Sequence, residues 1–297
     1  CLKHPLGSVK KNRRFSKHMN NENINLEKVL ITGAGGMVGS YVDFGIRMNR
    51  RSLDVTDFHE VMRVIKEHRP EAIIHLAAET DVDLCEKNPH HAYLVNGVGT
   101  YNIATAAKET GAKLVYVSTA GIFDGEKMGP YGEDDLPDPQ NFYGRSKHMG
   151  ELIVRGMLKD YIIARVCWMF GGGPEKDKKF VGKIIRQLDK PEIKAVNDAY
   201  GSPTFGKDLV SAIKRLLAEN AVGTFHLSNE GSCSRYELAK FIIETIQPGV
   251  KLTPVGLDYF PGAYRVKNEA MSSKRKLMRP WKDALREYLE TEWKNPR

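Results

Sequence analysis

Apolar residues fall along this chain in short β-rich runs that alternate with stretches of helical period. Lys28 to Thr32, Glu71 to Ala78, Lys113 to Thr119 and Tyr161 to Phe170 read as buried strands, the last of them as the sixth. Between them, Val61, Val64 and Ile65 share one helical face behind a cap at Thr56 or Asp57. A helix from about Ala92 to Thr110 stops at Gly111, and another runs from Tyr143 to Leu158. Strands and helices alternating at this pace predict an α/β fold with a doubly wound parallel sheet.

Beyond residue 170 the rhythm changes. Gly171-Gly172-Gly173-Pro174 breaks the pattern, and a charged run from Glu175 to Lys179 reads as a mobile loop. Helices are expected over Phe180 to Leu188, Lys207 to Ala218 and Trp281 to Trp293, and a strand over Thr224 to Leu227. Ser234-Arg235-Tyr236-Glu237 is a capping box opening a helix that runs to about Ile246. Pro248 to Gly262 is punctuated by Pro and Gly and reads as irregular. Three units are expected: a basic leader over 1–27; a nucleotide-binding part over 28–170 with 196–228; and a smaller C-terminal α/β part, a substrate lid, over 171–195 with 229–297.

The first strand leads into Gly33-Ala34-Gly35-Gly36-Met37-Val38-Gly39. Strand, glycine loop and helix in that order make a dinucleotide-binding turn. Gly33 and Gly36 allow the backbone close to a pyrophosphate, and Gly39 lets the helix pack on the strand. Only thirteen residues separate Gly39 from Leu53, so the first helix must be short. Arg47, Asn49, Arg50 and Arg51 then fall at the end of the second strand, where a basic side chain accepts a ribose 2'-phosphate. NADPH is expected for that reason, with NADH the alternative.

Tyr143 and Lys147 lie one helical turn apart and share a face. An ammonium there can stabilise a phenolate and bring the tyrosine toward the working pH, which suits proton transfer to a carbonyl oxygen. Thr119, at the carboxyl end of a predicted strand, can share that oxygen.

Charge and cysteines change the picture only by exclusion. Of the formal net charge of +8, six positive charges lie on Lys3, Lys10, Lys11, Arg13, Arg14 and Lys17, before the first acid, Glu22. The basicity therefore belongs to an N-terminal segment with no apolar periodicity and no aromatic interleaving. It reads as a flexible leader or a fragment of a preceding region rather than a nucleic-acid arm. Cys1, Cys85, Cys167 and Cys233 form no Cys-x-x-Cys pair, so neither a metal site nor a disulfide framework is expected. With no apolar run of membrane length and no secretory signal, a soluble cytoplasmic protein is expected.

With Gly33-x-x-Gly36-x-x-Gly39, Ser118-Thr119 and Tyr143-x-x-x-Lys147 in this order, the chain resembles the extended short-chain dehydrogenase/reductases, whose fold is Rossmann-like. More narrowly, it is similar to the dTDP-4-dehydrorhamnose reductase family. That likeness is carried by Leu53-Asp54-Val55-Thr56-Asp57, Ala77-Ala78-Glu79-Thr80-Asp81, Val95-Asn96, Phe123-Asp124-Gly125, Tyr131-Gly132-Glu133-Asp134, Gly201-Ser202-Pro203-Thr204 and Phe225-His226-Leu227-Ser228. The resemblance implies NADPH-dependent reduction of the C4 keto group of a nucleotide-linked 4-keto-6-deoxy sugar, in dTDP-rhamnose biosynthesis. Thr119, Tyr143 and Lys147 would be catalytic. Gly33, Gly36, Met37, Val38, Gly39, Arg50, Asp54, Val55, Leu76, Ala77 and Ala78 would line the cofactor, together with Tyr143 and Lys147. Thr80, Thr119, Ala120 and Trp168 would meet the sugar. Two departures stand out: the family's Ser-Thr-Asp is Ser118-Thr119-Ala120 here, and its Arg-Pro pair is Arg265-Val266. A nucleotide-sugar epimerase or dehydratase holding NAD, and a non-catalytic regulatory subunit of the same fold, are the competing readings. Monomer and homodimer are both open.

Overall fold

The computed structural model describes residues 24–294, so the basic segment from residue 1 to 23 lies outside the described residues. Asn25 caps a single turn at Leu26–Lys28, and the chain enters β1 (Val29–Thr32). β2 (Ile46–Arg47), β3 (Ala72–His75), β4 (Lys113–Thr119), β5 (Tyr161–Val166) and a last strand, Gly223–His226, complete one parallel sheet. The strand order is Gly223–His226, β5, β4, β3, β1, β2.

Both faces of this sheet are covered, which is why its strands read as continuous apolar runs rather than alternating ones. Val29, Ile31, Ile74 and Val115 point to one side and pack with Leu209, Ile213 and Leu216 of the helix Gly206–Ala218. Leu30, Ile73, Leu114 and Ile163 point to the other and meet Val61 and Ile65 of the helix Phe58–His68 and Ile103 of the helix Gly99–Thr110. The chain passes from β1 to one neighbour, β2, and then crosses to the other, β3. The carboxyl ends of β1 and β3 therefore flank the crevice where a ligand binds in such sheets.

Several expected boundaries move, each for a local reason. The strand expected over residues 71–78 ends at His75, because Leu76–Ala78 turn across the glycine loop, where the Ala77 N–H donates to Thr32 Oγ1 at 3.2 Å. The run expected over 161–170 is the fifth strand, not the sixth, and stops at Val166. Trp168 then takes a left-handed backbone, φ 37°, and Met169–Phe170 pairs with Thr204–Phe205 instead. The stretch read as irregular over 248–262 contains the strand Lys251–Val255, which pairs in parallel with Glu192–Val196. The charged run after the glycines is partly helical, at Gly173–Lys176. The helix expected from Ala92 begins with a π-helical stretch, Tyr93–Val98, before the α-helix that ends at Gly111, φ 76°.

The C-terminal elements gather on a separate apolar cluster. Ile184, Leu238, Ile242, Leu285 and Tyr288 pack there against Phe170 and Phe205, whose rings stack at 5.2 Å. Ser234 caps its helix, Arg235–Ile246, with both bonds of the capping box in place. Among the described residues no helix is long and apolar enough to cross a membrane.

Candidate active site

The glycine turn is shaped by what its neighbours leave no room for. A Cβ on Gly33, whose φ is 68°, would lie 2.6 Å from the Ala77 nitrogen, and one on Gly39 would lie 2.4 Å from the Ala34 carbonyl oxygen. The first glycine thus lets the turn press on Leu76–Ala78, and the last lets the short helical turn Val38–Tyr41 press on the loop. The N–H groups of Gly35, Met37 and Val38 donate to no other described residue, which leaves a row of donors at the end of β1 suited to a pyrophosphate. The donor set, the missing side chains and the small Ala77 and Ala78 beside them fit a dinucleotide.

Beyond β2 the chain stays against this turn. Ala34 donates to the Met48 carbonyl at 2.9 Å, and Arg47 Nη2 donates to the Gly39 carbonyl at 3.1 Å. Arg50 and Arg51 are exposed on the loop that follows. Asp54 is held below the usual carboxylate range, first by the Thr56 backbone N–H and hydroxyl, with the Arg50 charge adding to them. Val55 is buried next to Gly99.

Thr119 ends β4, and its hydroxyl accepts from the Gly121 N–H at 3.1 Å. Tyr143 and Lys147 sit on the helix Phe142–Met157, capped by Asn141 through the Gly144 N–H at 2.8 Å. A Cβ on Gly144 would lie 2.1 Å from the Gly121 carbonyl oxygen, so the helix start rests directly on the turn after Thr119. Burial pushes the Tyr143 hydroxyl up to about 12; Thr119 draws it back, and the Glu269 charge adds to the rise. Burial brings Lys147 down to about 7, and its ammonium lies 4.2 Å from the centre of the Tyr116 ring. The sequence assigned the pull on Tyr143 to Lys147. In the structure the group that lowers it is Thr119, and desolvation outweighs that pull.

A buried polar chain, absent from the sequence reading, ties the two halves of this site together. Thr32 Oγ1 meets His75 Nδ1 at 2.8 Å, and His75 Nε2 meets Thr100 Oγ1 at 3.3 Å. Thr100 donates to the Asn96 carbonyl at 2.6 Å, and the Asn96 amide donates to Ser146 Oγ at 2.9 Å, one turn along the helix from Tyr143. Burial, with the Lys147 charge, lowers His75 to about 3, so it is a neutral link. Asn96 lies in the π-helical stretch, a local irregularity that sets its side chain toward Glu79 and Ser146.

The residues expected to meet the sugar are not all brought together. Trp168 stands over the site: its indole N–H donates to Glu269 Oε2 at 2.7 Å, and the Arg235 guanidinium lies 3.6 Å from the ring centre. Ala120 is buried with Ile122, Phe123, Tyr131, Cys167 and Met271. Thr80 is exposed and accepts from Lys179 Nζ at 3.0 Å through both its hydroxyl and its carbonyl. Glu269 and Arg235 went unread as site residues. The first sits in a two-residue strand, and the second reads as an ordinary first residue of a capped helix.

The family model described as "RmlD substrate binding domain" matches residues 27–293. The chain belongs to this family. The spore coat polysaccharide biosynthesis protein SpsK of Bacillus subtilis is 34% identical over 280 residues, covering 89% of this chain and 98% of that protein. A dTDP-4-dehydrorhamnose reductase of Mycobacterium tuberculosis is 34% identical over 282 residues, covering 87% and 91%. Among solved structures, dTDP-4-dehydrorhamnose reductase from Bacillus anthracis in complex with NADP superposes with a TM-score of 0.84 at 36% identity, covering 89% and 99%. The RmlD match takes in the glycine turn, Thr119, Tyr143, Lys147, Trp168 and Glu269 alike.

Proposed function

We propose that this chain uses NADPH to reduce the C4 keto group of a nucleotide-linked 4-keto-6-deoxy sugar. The observation that carries the reading is the meeting of Thr119 and Tyr143 at the carboxyl end of β4, with Lys147 one turn further along the helix. Relatives named dTDP-4-dehydrorhamnose reductase, and the NADP bound by the Bacillus anthracis protein, support a dTDP-linked sugar and the phosphorylated dinucleotide.

Gly35, Met37 and Val38 would hold the pyrophosphate by their N–H groups, Arg50 the 2'-phosphate, and Asp54, Val55 and Leu76–Ala78 the adenosine side. When bound, NADPH supplies the hydride. Tyr143, kept protonated at neutral pH by its burial, gives its proton to the oxygen at C4 as that carbon is reduced, and Thr119 donates a hydrogen bond to the same oxygen. Lys147, titrating near neutrality, can return a proton to Tyr143 after each turnover. Trp168 would stack on the sugar, with Thr80 and Ala120 at the edges of its site.

The nucleotide would bind the sheet of residues 28–170 with 196–228, and the sugar would be closed in by 171–195 with 229–297. We place the enzyme in the cytoplasm as a monomer or homodimer. The test is a panel of dTDP- and UDP-linked 4-keto sugars assayed for NADPH oxidation, with the C4 configuration of each product determined. Turnover of a 4-keto-6-deoxy member is the expected result; no oxidation with any member contradicts the reading.

A further inference from the structure

A carboxylate beside Thr119 and Tyr143 comes from a part of the chain far from them in sequence. Asn268–Glu269 pairs in parallel with Tyr200–Gly201, and the Asn268 amide fixes this strand by donating to the carbonyls of Lys127 at 2.8 Å and Gly129 at 2.7 Å. Glu269 is thereby set beside the turn after β4. Its Oε1 lies 3.5 Å from where a Cβ on Gly121 would be, the same distance as Thr119 Oγ1.

One oxygen of this carboxylate is used and the other is not. Oε2 accepts from the Trp168 indole, whereas Oε1 accepts from no described residue. No cation lies within 4.0 Å of it among the described residues, although Arg235, stacked on the other side of Trp168, feels its charge. A carboxylate can only accept hydrogen bonds, and a half-buried one with an idle oxygen beside Thr119 and Tyr143 is set to take a donor from a ligand. The chain supplies no carboxylate at the position directly after β4, where Ala120 stands.

We propose that Glu269 determines sugar specificity: its Oε1 accepts a hydrogen bond from the ring hydroxyl at C3, next to the carbonyl being reduced, while Trp168 and Arg235 hold the carboxylate in place. The inference rests on the reductase reading above. A group that read hydroxyls only at the rim of the sugar would not share one space with Thr119. A Glu269 that served Trp168 alone would need only the oxygen already engaged.

The test compares dTDP-4-keto-6-deoxyglucose with dTDP-4-keto-3,6-dideoxyglucose, which lacks the C3 hydroxyl. The wild-type chain should favour the first in kcat/KM by roughly 10- to 100-fold, as loss of a charge-assisted hydrogen bond implies. Glu269→Gln, which keeps an acceptor for the indole, and Glu269→Ala should both lose most of that preference while binding NADPH as the wild type does. For a variant without turnover, the ratio of dissociation constants for the two sugars serves instead. A preference that survives in both variants overturns the proposal and leaves the reductase reading standing; a wild-type chain inactive on both sugars and on every member of the wider panel overturns the reading and the proposal with it.

Discussion

Gly201 and the Trp168 indole occupy adjoining space so tightly that a Cβ on Gly201 would lie 2.3 Å from Cε2 of the ring. The indole is thus clamped by backbone on one side, the Arg235 guanidinium on another and Glu269 at its N–H edge, while its own backbone is left-handed. Non-glycine residues with positive φ concentrate where surrounding structure enforces them, often at functional sites.

Gly201→Ala should therefore move the indole without touching the glycine turn. A displacement of this kind costs on the order of 100-fold in kcat/KM for the keto sugar. The NADPH dissociation constant should stay at the wild-type value, and steady-state kinetics alongside a fluorescence titration would show the split. Equal losses in both would mean that Trp168 does not belong to the sugar side.

Arg50 and Arg51 follow a strand end that is hydrogen-bonded to the glycine turn through Ala34 and Met48. If one of them meets the 2'-phosphate, Arg50→Ala and Arg51→Ala should lower the ratio of NADPH to NADH affinity by roughly tenfold, as loss of about 1.4 kcal/mol of ionic contact would. The measurement is a pair of titrations per variant. An unchanged ratio retires the basic loop as the cofactor discriminator.

Lys147 makes stability depend on pH with a definite sign. Burial lowers its pKa from the ordinary lysine value of 10.5 to about 7, so between those values the unfolded chain binds a proton that the folded chain does not. Stability must then rise with pH across this window, and its contribution is lost as pH falls through 7. Lys147→Met should flatten the rise in denaturation midpoint between pH 7 and pH 10. The upper limit of the window is set by Tyr143: its raised pKa makes its own contribution full below 10 and lost as pH climbs toward 12.

Glu151 and Arg165 form a buried two-pronged pair, at 2.9 and 2.8 Å, with the guanidinium 5.3 Å from the Phe123 ring centre and neither side chain more than 1% exposed. Removing Glu151 leaves the buried Arg165 without a carboxylate partner, whereas Glu151 has a second cation in Arg155 at 3.1 Å. Glu151→Ala should cost about 3 to 5 kcal/mol in chemical denaturation, and Arg165→Met added to it should recover part of that loss. A double variant no more stable than the single would show that the pair is not what holds β5 to the helix that carries Tyr143.

What the sequence disclosed, and what it did not, follows from how local each cause is. Lys113–Thr119 is a strand with the bounds its buried run predicts, and Ser234 caps its helix as the Ser-x-x-Glu spacing requires. Both depend on neighbours a few residues away. The strands Glu192–Val196 and Lys251–Val255 depend on each other across more than fifty residues, and Pro254 in the second disguises it. The early end of β5 comes from the left-handed Trp168, which residue type does not announce. At the site, Gly33, Thr119, Tyr143 and Lys147 could be found from spacing, because loop and helix geometry place them. Glu269 and Arg235 reach the same space only through tertiary packing, and the link from Thr32 through His75, Thr100 and Asn96 to Ser146 uses five separate elements.

The central claim is that Tyr143 delivers the proton in reduction of a nucleotide-linked 4-keto sugar. Replacing it by phenylalanine removes one hydroxyl and keeps the ring. NADPH oxidation by Tyr143→Phe with dTDP-4-keto-6-deoxyglucose should fall by about 10²- to 10⁴-fold with NADPH binding preserved; turnover at the wild-type rate would contradict the account.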